Sequence, residues 1–383
     1  MMANVPLTLK RTRPISPSKL STFTTCPLRY LLETERPPKG GLSSNPIALR
    51  GTITHGLIEQ STGKPLPKAQ ELLEQFHALL AAAVTKKDAN PLLKLAFERA
   101  GHAGVLSVPQ VVSACSFVMK ILKAHPQGLP AVGTGTAGQG SASPIGPERK
   151  FEDSSLDLGG YIDLTYADDV GNVHIVDYKT GSVLGEDGGP RAEYLLQMGA
   201  YGILVKKVLG PPKVFLELAG ASSSWQGELD AGLEATALQL VNRLRCQLPR
   251  GEVVDADHLS KQGVHCQGCG FRPSCRAYLD CLQHAPTSDQ RLSPKDVAGE
   301  IIEVSPMGAL ISLRLRTTKG HIVSIGGVPA HLLQDATPGT LVAAYGLGHF
   351  DDLTRAKFAA NFFIFREDNP AASAFEATLK RVA

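Results

Sequence analysis

Asp177 and Lys179 stand two apart in NVHIVDYKTG, a run whose valines and isoleucine read as a β-strand. Alternate strand residues share a face, so the carboxylate and the ammonium point the same way. The run before it, LDLGGYIDLTY, reads as a second strand, and ADDVG as the turn between them. With the hairpin centred on Val170, Asp163 falls opposite Asp177, because the two are equally distant from that centre. Two carboxylates and an amine then converge. Carboxylates that close are costly unless a cation neutralises them, and oxygen donors of this kind suit Mg²⁺ or Mn²⁺. A cation so held polarises a phosphodiester oxygen and lowers the pKa of a bound water, while Lys179 positions the nucleophile or stabilises developing charge. An isolated D-x-K in a strand is usually a solvated hairpin face, so this set gains its meaning from its neighbours.

His55 lies in ALRGTITHGLIEQ, where Leu49, Ile53 and Leu57 recur at helical spacing and leave the imidazole off the most apolar stripe; Glu59 follows one turn later. Gln197 and Tyr201, in AEYLLQMGAYGILVKKVLG, are four apart and share a helix face. Glu148 precedes the first hairpin strand and is left outside the site. Seven cysteines, an odd number spread over a long chain, do not read as a disulfide scaffold, so metal binding comes first. Cys266, Cys269 and Cys275 form a tight set that lacks a fourth thiolate, and Cys26, far upstream, looks unrelated to it in sequence terms. Zn²⁺ and a [4Fe–4S] cluster both accept four cysteines, and spacing does not choose between them. Cys281 could substitute as a ligand, whereas Cys115 and Cys246 read as core residues.

These residues need elements to bring them together. Ser16-Pro17 reads as an N-cap followed by a first-turn proline, and Pro27 opens a second helix, LRYLLE, which puts Cys26 at a helix–helix junction. Residues 68–123 read as helices, with ELLEQFHALLAAAV and VVSACSFVMKILKA the clearest. PQGLPAVGTGTAGQGSASPIGP reads as a flexible connection; its GTGTAGQG follows no strand and ends in no GK[ST], which excludes a phosphate loop. After the hairpin come a helix stopped by Gly210-Pro211-Pro212, a strand KVFLELAG and a helix ATALQLVNRLRCQL. Beyond Leu292 the texture changes to short strands, GEIIEVS, ALISLRLRTT, HIVSIGG, TLVAAYGL and KFAANFFIF, with VPAHLLQDA between the third and fourth. An OB-fold places its helix there, so a small five-stranded barrel is expected.

The 383 residues exceed one ordinary core, and 43% hydrophobic with 20% charged residues is the balance of a soluble globular chain. A formal charge of +3 does not announce a nucleic-acid partner, so any such contact must come from a local groove. No apolar run approaches the roughly 20 residues of a membrane helix, and the first residues lack a secretory core, so a cytoplasmic protein is expected.

In chain order, RGTITHGLIE, GGYIDL, VDYKTG and LLQMGAY resemble the motifs of RecB-type PD-(D/E)XK nucleases. Gly51 and His55 match the helical histidine motif, Ile162-Asp163 stands in the "PD" place, Asp177-Tyr178-Lys179 matches (D/E)XK, and Gln197 with Tyr201 matches Q-x-x-x-Y. The resemblance implies an α/β, restriction-endonuclease-like core with Asp163, Asp177, Lys179, Gln197 and Tyr201 in catalytic roles. It also implies Mg²⁺ or Mn²⁺ held by Asp163, Asp177 and a neutral nitrogen of His55. Gln197 and Tyr201 would orient Lys179 or a DNA phosphate. ISPSKLSTFTTCPLRYLLE and CQGCGFRPSC are similar to segments of AddB-type nucleases and CRISPR-associated iron–sulfur exonucleases. That likeness implies a [4Fe–4S] cluster on Cys26, Cys266, Cys269 and Cys275, with Zn²⁺ the alternative, clipping together the ends of a domain.

The expected organisation is a nuclease domain over 14–285, with a helical insertion at about 66–125 and a flexible linker at about 126–146, then an OB-fold-like domain over 291–383. The expected activity is metal-dependent DNA cleavage, as an exonuclease on single-stranded ends in repair, recombination or defence. No helicase motif or Walker loop is present, so unwinding would need a helicase or recombination partner. The competing readings are a catalytically idle binding module that recruits such a partner, an RNA nuclease, and a restriction-type endonuclease. In the terminal domain Phe358, Phe362, Phe363 and Phe365, with Arg314 and Arg316, would either stack on and grip a single strand or fill a barrel core. No membrane association is expected.

Overall fold

The structure is a computed structural model that describes residues 8–35, 46–62, 64–86, 91–124, 146–255, 257–286, 289–293, 296–308, 310–329, 337–345, 347, 350–352, 355–357 and 363–364. At its centre is a five-stranded sheet in the order β2-β3-β4-β5-β6, built from β2 (Gly146–Asp153), β3 (Leu158–Ala167), β4 (Val173–Lys179), β5 (Val214–Gly220) and β6 (Ser224–Glu228). β4 and β5 are parallel and the other pairs antiparallel. The parallel pair requires a crossover, supplied by α7 (Ala192–Leu209). β4 is buried at five of its seven positions, as expected of a central strand whose apolar residues run almost without interruption.

Helices cover both faces. On one, Phe23 of α1 (Leu20–Thr25), Tyr30 of α2 (Pro27–Glu35), Met198 and Leu204 of α7, and Leu240 and Leu244 of α8 (Ala231–Gln247) pack on Ile175 and Leu216. Gly199 and Gly202 allow this closeness: a Cβ on Gly199 would lie 2.9 Å from Leu233 and one on Gly202 3.0 Å from Leu229. On the other face, α3 (Pro46–Ser61), α4 (Ala69–Thr85) and α6 (Val108–Ala124) bury Leu57, Phe76 and Phe117 against Leu164, Val176 and Tyr178. In α4 the stripe Leu72, Phe76, Leu80, Val84 is wholly buried at a spacing of four, each side chain contributing roughly 1.5–3 kcal/mol. α5 (Pro91–Val105) completes the helical insertion and is kinked at Gly101, whose φ is +57°. α7 stops at Gly210, in the left-handed conformation at φ +63°, with its N–H bonded to the Lys206 carbonyl.

The hairpin register agrees with a centre at Val170: Leu164 pairs with Val176 and Ala167 with Val173. β2 and β6 were not foreseen. GPERKFED and SWQGE are edge strands with little apolar alternation, so periodicity hides them. Ser16 precedes a 3₁₀ turn at Pro17–Lys19, and its side chain makes no capping bond. The core also reaches further upstream than residue 14. β1 (Thr8–Lys10) pairs with β7 (Val253–Asp255), and Arg11 is buried with its guanidinium 2.5 Å from Asp157 and bonded to the Leu248 carbonyl. The expected linker at about 126–146 lies almost wholly outside the described residues.

The carboxy-terminal part is a second sheet, assembled from β8 (Val297–Met307), β9 (Leu310–Arg316), β10 (Ile322–Pro329), β11 (Leu341–Tyr345), β12 (Phe350–Asp352), β13 (Arg355–Lys357) and β14 (Phe363–Ile364). Its order is β12-β13-β10-β9-β8-β11-β14, with β10 and β13 parallel. Seven strand segments therefore replace the five expected: an extra edge strand, β12, is present, and the expected last strand is described only as β13 and β14. Residues 330–336 of the expected helix, and Phe358, Phe362 and Phe365, lie outside the described residues, as does the side chain of Phe363. Arg314 and Arg316 are exposed, but each faces a glutamate of β8, Glu303 at 2.7 Å and Glu300 at 3.9 Å.

The two parts meet at a polar joint beside α9 (Arg276–His284). Arg272 bonds Asp296 through Nε at 2.6 Å, Tyr278 donates its hydroxyl to the same carboxylate at 2.7 Å, and the Ser293 N–H bonds the tyrosine oxygen. Around it Leu279, Leu282, Leu292, Ala298 and Tyr345 share one apolar cluster with Cys266. No helix among the described residues is long and apolar enough to cross a membrane.

Candidate active site and cysteine centre

β2, β3 and β4 carry three carboxylates in one row. Extending the pairing Leu164 to Val176 by one residue sets Asp163 opposite Asp177, and the pairs Pro147 to Leu164 and Arg149 to Ile162 set Glu148 opposite Asp163. Glu148 has φ +47°, a left-handed conformation that a residue with a Cβ rarely adopts. His55 comes down from α3 with Nδ1 3.1 Å from Asp163 and 3.9 Å from Glu148, and with Nε2 3.0 Å from the Tyr178 carbonyl. The Tyr178 N–H donates to the other Asp163 oxygen at 2.6 Å, which fixes that carboxylate.

Asp177 turns to the other side of the row. Lys179 Nζ is 2.6 Å from one of its oxygens, and Gln197 Nε2 donates to the other at 2.6 Å. The same Gln197 accepts a bond from Lys179 at 3.1 Å through Oε1, so a single amide holds both members of the D-x-K. Tyr201, one turn along α7, is buried against the backbone of Gly160, where a Cβ would lie 3.3 Å from its ring and 3.2 Å from Pro17. Its hydroxyl shares a side-chain hydrogen bond with Gln197, which links it to Lys179 through that amide. Glu59 is exposed and outside the convergent group.

Both ring nitrogens of His55 face acceptors, a carboxylate and a carbonyl, and only the doubly protonated ring satisfies both. Burial alone would lower its pKa, but Asp163, with Asp177 and Glu148 behind it, holds it at about 9. Burial raises Glu148 to about 7, reinforced by the charge of Asp163. Burial also raises Asp177, against the pull of Lys179. Acids pushed up together and a ligand atom each from His55, Glu148 and Asp163 within 4.8 Å of one another make a donor set that fits a divalent cation. The proton now facing Asp163 is what such a cation would displace from His55.

A protein-family model, the PD-(D/E)XK nuclease superfamily, matches residues 14–276. The chain belongs to this superfamily. PD-(D/E)XK nucleases are metal-dependent phosphodiesterases, so hydrolysis of a DNA phosphodiester with a divalent cation is the superfamily's chemistry. No curated protein sequence matches the chain. Among solved structures it is similar to a candidate exonuclease from Eubacterium rectale, at 14% identity and a TM-score of 0.37, over 63% of this chain and 84% of that one. It is also similar to the protein SSO0001, at 14% identity and a TM-score of 0.25, over 60% of this chain and 97% of that one.

Within this PD-(D/E)XK chain, Glu148 is the residue that sequence reasoning set aside. Its signal was distance along the chain: Glu148 and Asp163 are separated by a hairpin's length, like Asp163 and Asp177, but the charged edge strand carrying it shows no period.

The four cysteines of the expected clip line one pocket, together with Arg29 and Arg272. Cys26 sits between α1 and α2 with extended backbone, Cys266 lies within a short 3₁₀ turn that Cys269 ends, and Cys275 is the N-cap of α9. All four are free thiols. Burial pushes Cys275 up to about 12, with the sulfurs of Cys26, Cys269 and Cys266 adding to the rise. Four crowded sulfurs with two guanidiniums beside them fit an anionic tetrathiolate centre. Cys281 is outside this pocket and bonds Gln262 at 2.9 Å instead. Cys115 packs against the core, but Cys246 is exposed, because the buried stripe of α8 is Ala237, Leu240, Val241 and Leu244 and passes it by.

Proposed function

We propose that this chain is a DNA exonuclease that digests single-stranded ends, with Asp163, Asp177, Lys179, Gln197 and Tyr201 serving catalysis and His55, Glu148, Asp163 and Asp177 facing the cation. The observation that carries the reading is the meeting of His55, Glu148 and Asp163 beside an Asp177–Lys179 pair clamped by Gln197. A divalent cation, when bound, supplies Lewis-acid polarisation of the phosphodiester. Lys179 is charged and pinned on two sides, so its remaining N–H is available to orient the attacking water or to meet charge building on a phosphoryl oxygen. Asp163 cannot rotate away, because the Tyr178 N–H holds it. A donor set that includes an imidazole favours Mn²⁺ over Mg²⁺.

The cysteine pocket is read as the seat of a [4Fe–4S] cluster with a structural role, tying Cys26 to the distant triad, and Zn²⁺ is the alternative. The terminal domain is read as OB-like. Among the described residues, β13 lies parallel to β10 and β14 antiparallel to β11, at opposite ends of one sheet, an arrangement that suits a barrel. Repair, recombination or defence, with a helicase as partner, is the setting that such an end-processing enzyme suits.

The test is digestion of end-labelled single-stranded DNA with Mn²⁺ or Mg²⁺ present or chelated, using anaerobically purified wild type, Asp177→Ala and Lys179→Ala. Metal-dependent digestion abolished in both variants is expected, with circular DNA resisting. A folded wild type that leaves single-stranded DNA, linear duplex and RNA intact overturns the reading in favour of an idle binding module. Iron with acid-labile sulfide, against zinc, decides the cysteine centre.

A further inference from the structure

Lys179 has a neighbour that none of the motifs includes. Tyr194 stands on the first turn of α7, one turn before Gln197, with its ring centroid 5.1 Å from Lys179 Nζ. The Arg191 guanidinium is 5.8 Å from the same ring. The ring is half-buried, resting at its base on the main core, while Arg191 is exposed and tied to the half-buried Glu193 at 3.1 Å. The pair is held in place. The loop between β4 and α7 folds back on itself through the Gly185 N–H to the Gly189 carbonyl, and the Arg191 N–H bonds the Val183 carbonyl at 2.9 Å. The Arg191 carbonyl in turn accepts from the N–H groups of Tyr194 and Leu195.

A ring at the rim of a phosphodiesterase site, with a cation at its face and an exposed guanidinium beside it, matches what an unpaired nucleotide requires. The base has a π-face that stacks on tyrosine whatever its sequence, and the next phosphate needs a charge within reach. We propose that Tyr194 and Arg191 clamp the nucleotide next to the scissile phosphate, Tyr194 by stacking on its base and Arg191 by gripping the adjoining phosphate. The inference rests on the nuclease reading above and extends it. A base still paired in a duplex cannot be offered to the ring, so the clamp selects frayed or single-stranded ends. Both are positioning residues; the bond-breaking groups remain those of the carboxylate row.

The experiment measures Mn²⁺-dependent kcat/KM on single-stranded DNA that is intact or lacks the base next to the cut, for wild type, Tyr194→Leu, Tyr194→Phe and Arg191→Ala. Removing the base should slow wild type by about 5- to 150-fold, the worth of one stacked base. Tyr194→Leu should lose a similar factor on intact DNA and nothing more on the abasic strand, whereas Tyr194→Phe should restore the sensitivity to the missing base. Arg191→Ala should raise KM and flatten the salt dependence by about 0.7 in slope, the release from one single-strand phosphate. Wild type indifferent to the missing base, or Tyr194→Leu retaining the full abasic effect, overturns the clamp and leaves the nuclease standing. Wild type that cuts no DNA removes the nuclease reading and the clamp with it.

Discussion

Replacing Glu148 by glutamine should stabilise the cation-free protein and weaken the cation-bound one. Glu148 has its pKa raised to about 7, from the 4.5 expected in the unfolded chain, by burial and by Asp163. Its folded form therefore holds a proton that the unfolded form has released. Stability from this group is complete below pH 4.5 and is lost as pH rises to about 7. The difference corresponds to roughly 3 kcal/mol at pH 8, and its side chain is only 25% exposed, so solvent screening leaves much of it in place. Losing the carboxylate also removes a partner of His55, 3.9 Å away, which reduces the gain. Glutamine meets the same left-handed backbone at φ +47° as glutamate, so the change is electrostatic and not conformational. Thermal unfolding in chelator should show Glu148→Gln level with wild type near pH 4.5 and several degrees above it at pH 8. Added Mn²⁺ should reverse the order, because wild type gains a ligand that the variant lacks. A variant no more stable than wild type in chelator at pH 8 would show that the acidic row stores no repulsion, and the argument for a cation there would fail.

Lys179→Ala should cut the rate by about 100-fold or more and, by leaving buried Asp177 without its counter-charge, cost about 3–5 kcal/mol by urea titration in chelator. Gly160→Ala should cost about 1–3 kcal/mol, because the added methyl meets Pro17 at 3.2 Å and the Tyr201 ring at 3.3 Å; the same titration reads it, and an unchanged midpoint would refute that packing. Cys26→Ser should lower bound metal and sulfide and speed proteolysis of the amino-terminal helices, while Cys246→Ser, at an exposed position, should leave both as they were.

Much of the site's geometry could be read from local rules. Asp163 and Asp177 are equidistant from Val170, and Asp168 and Gly171 close the turn there, so the register followed from counting. Gln197 reaches the D-x-K because a helix presents one face to the end of the strand it follows. What stayed hidden depended on edges and on distance. β2 carries Pro147, Glu148, Arg149, Lys150 and Glu152 in eight residues, a composition that hydrophobic periodicity discards, and so Glu148 was left out. Cys246 was read as core because an unliganded cysteine is usually buried, but only the packing of α8 decides which stripe faces inward. The union of Cys26 with the later triad came from resemblance to other chains, since no local rule joins segments so far apart.

The joint at Asp296 bears on how this chain could have been assembled, and on how it could be taken apart. A boundary drawn between residues 285 and 291 looks natural in the sequence. A cut there would remove the carboxylate that Arg272, 7% exposed, meets at 2.6 Å, together with Leu292, which covers the helix after the cysteines. The inheritable unit is therefore longer than the catalytic fold. A terminal domain exchanged between relatives would have to leave Leu292, Ser293 and Asp296 behind with the nuclease, or bring equivalents of its own.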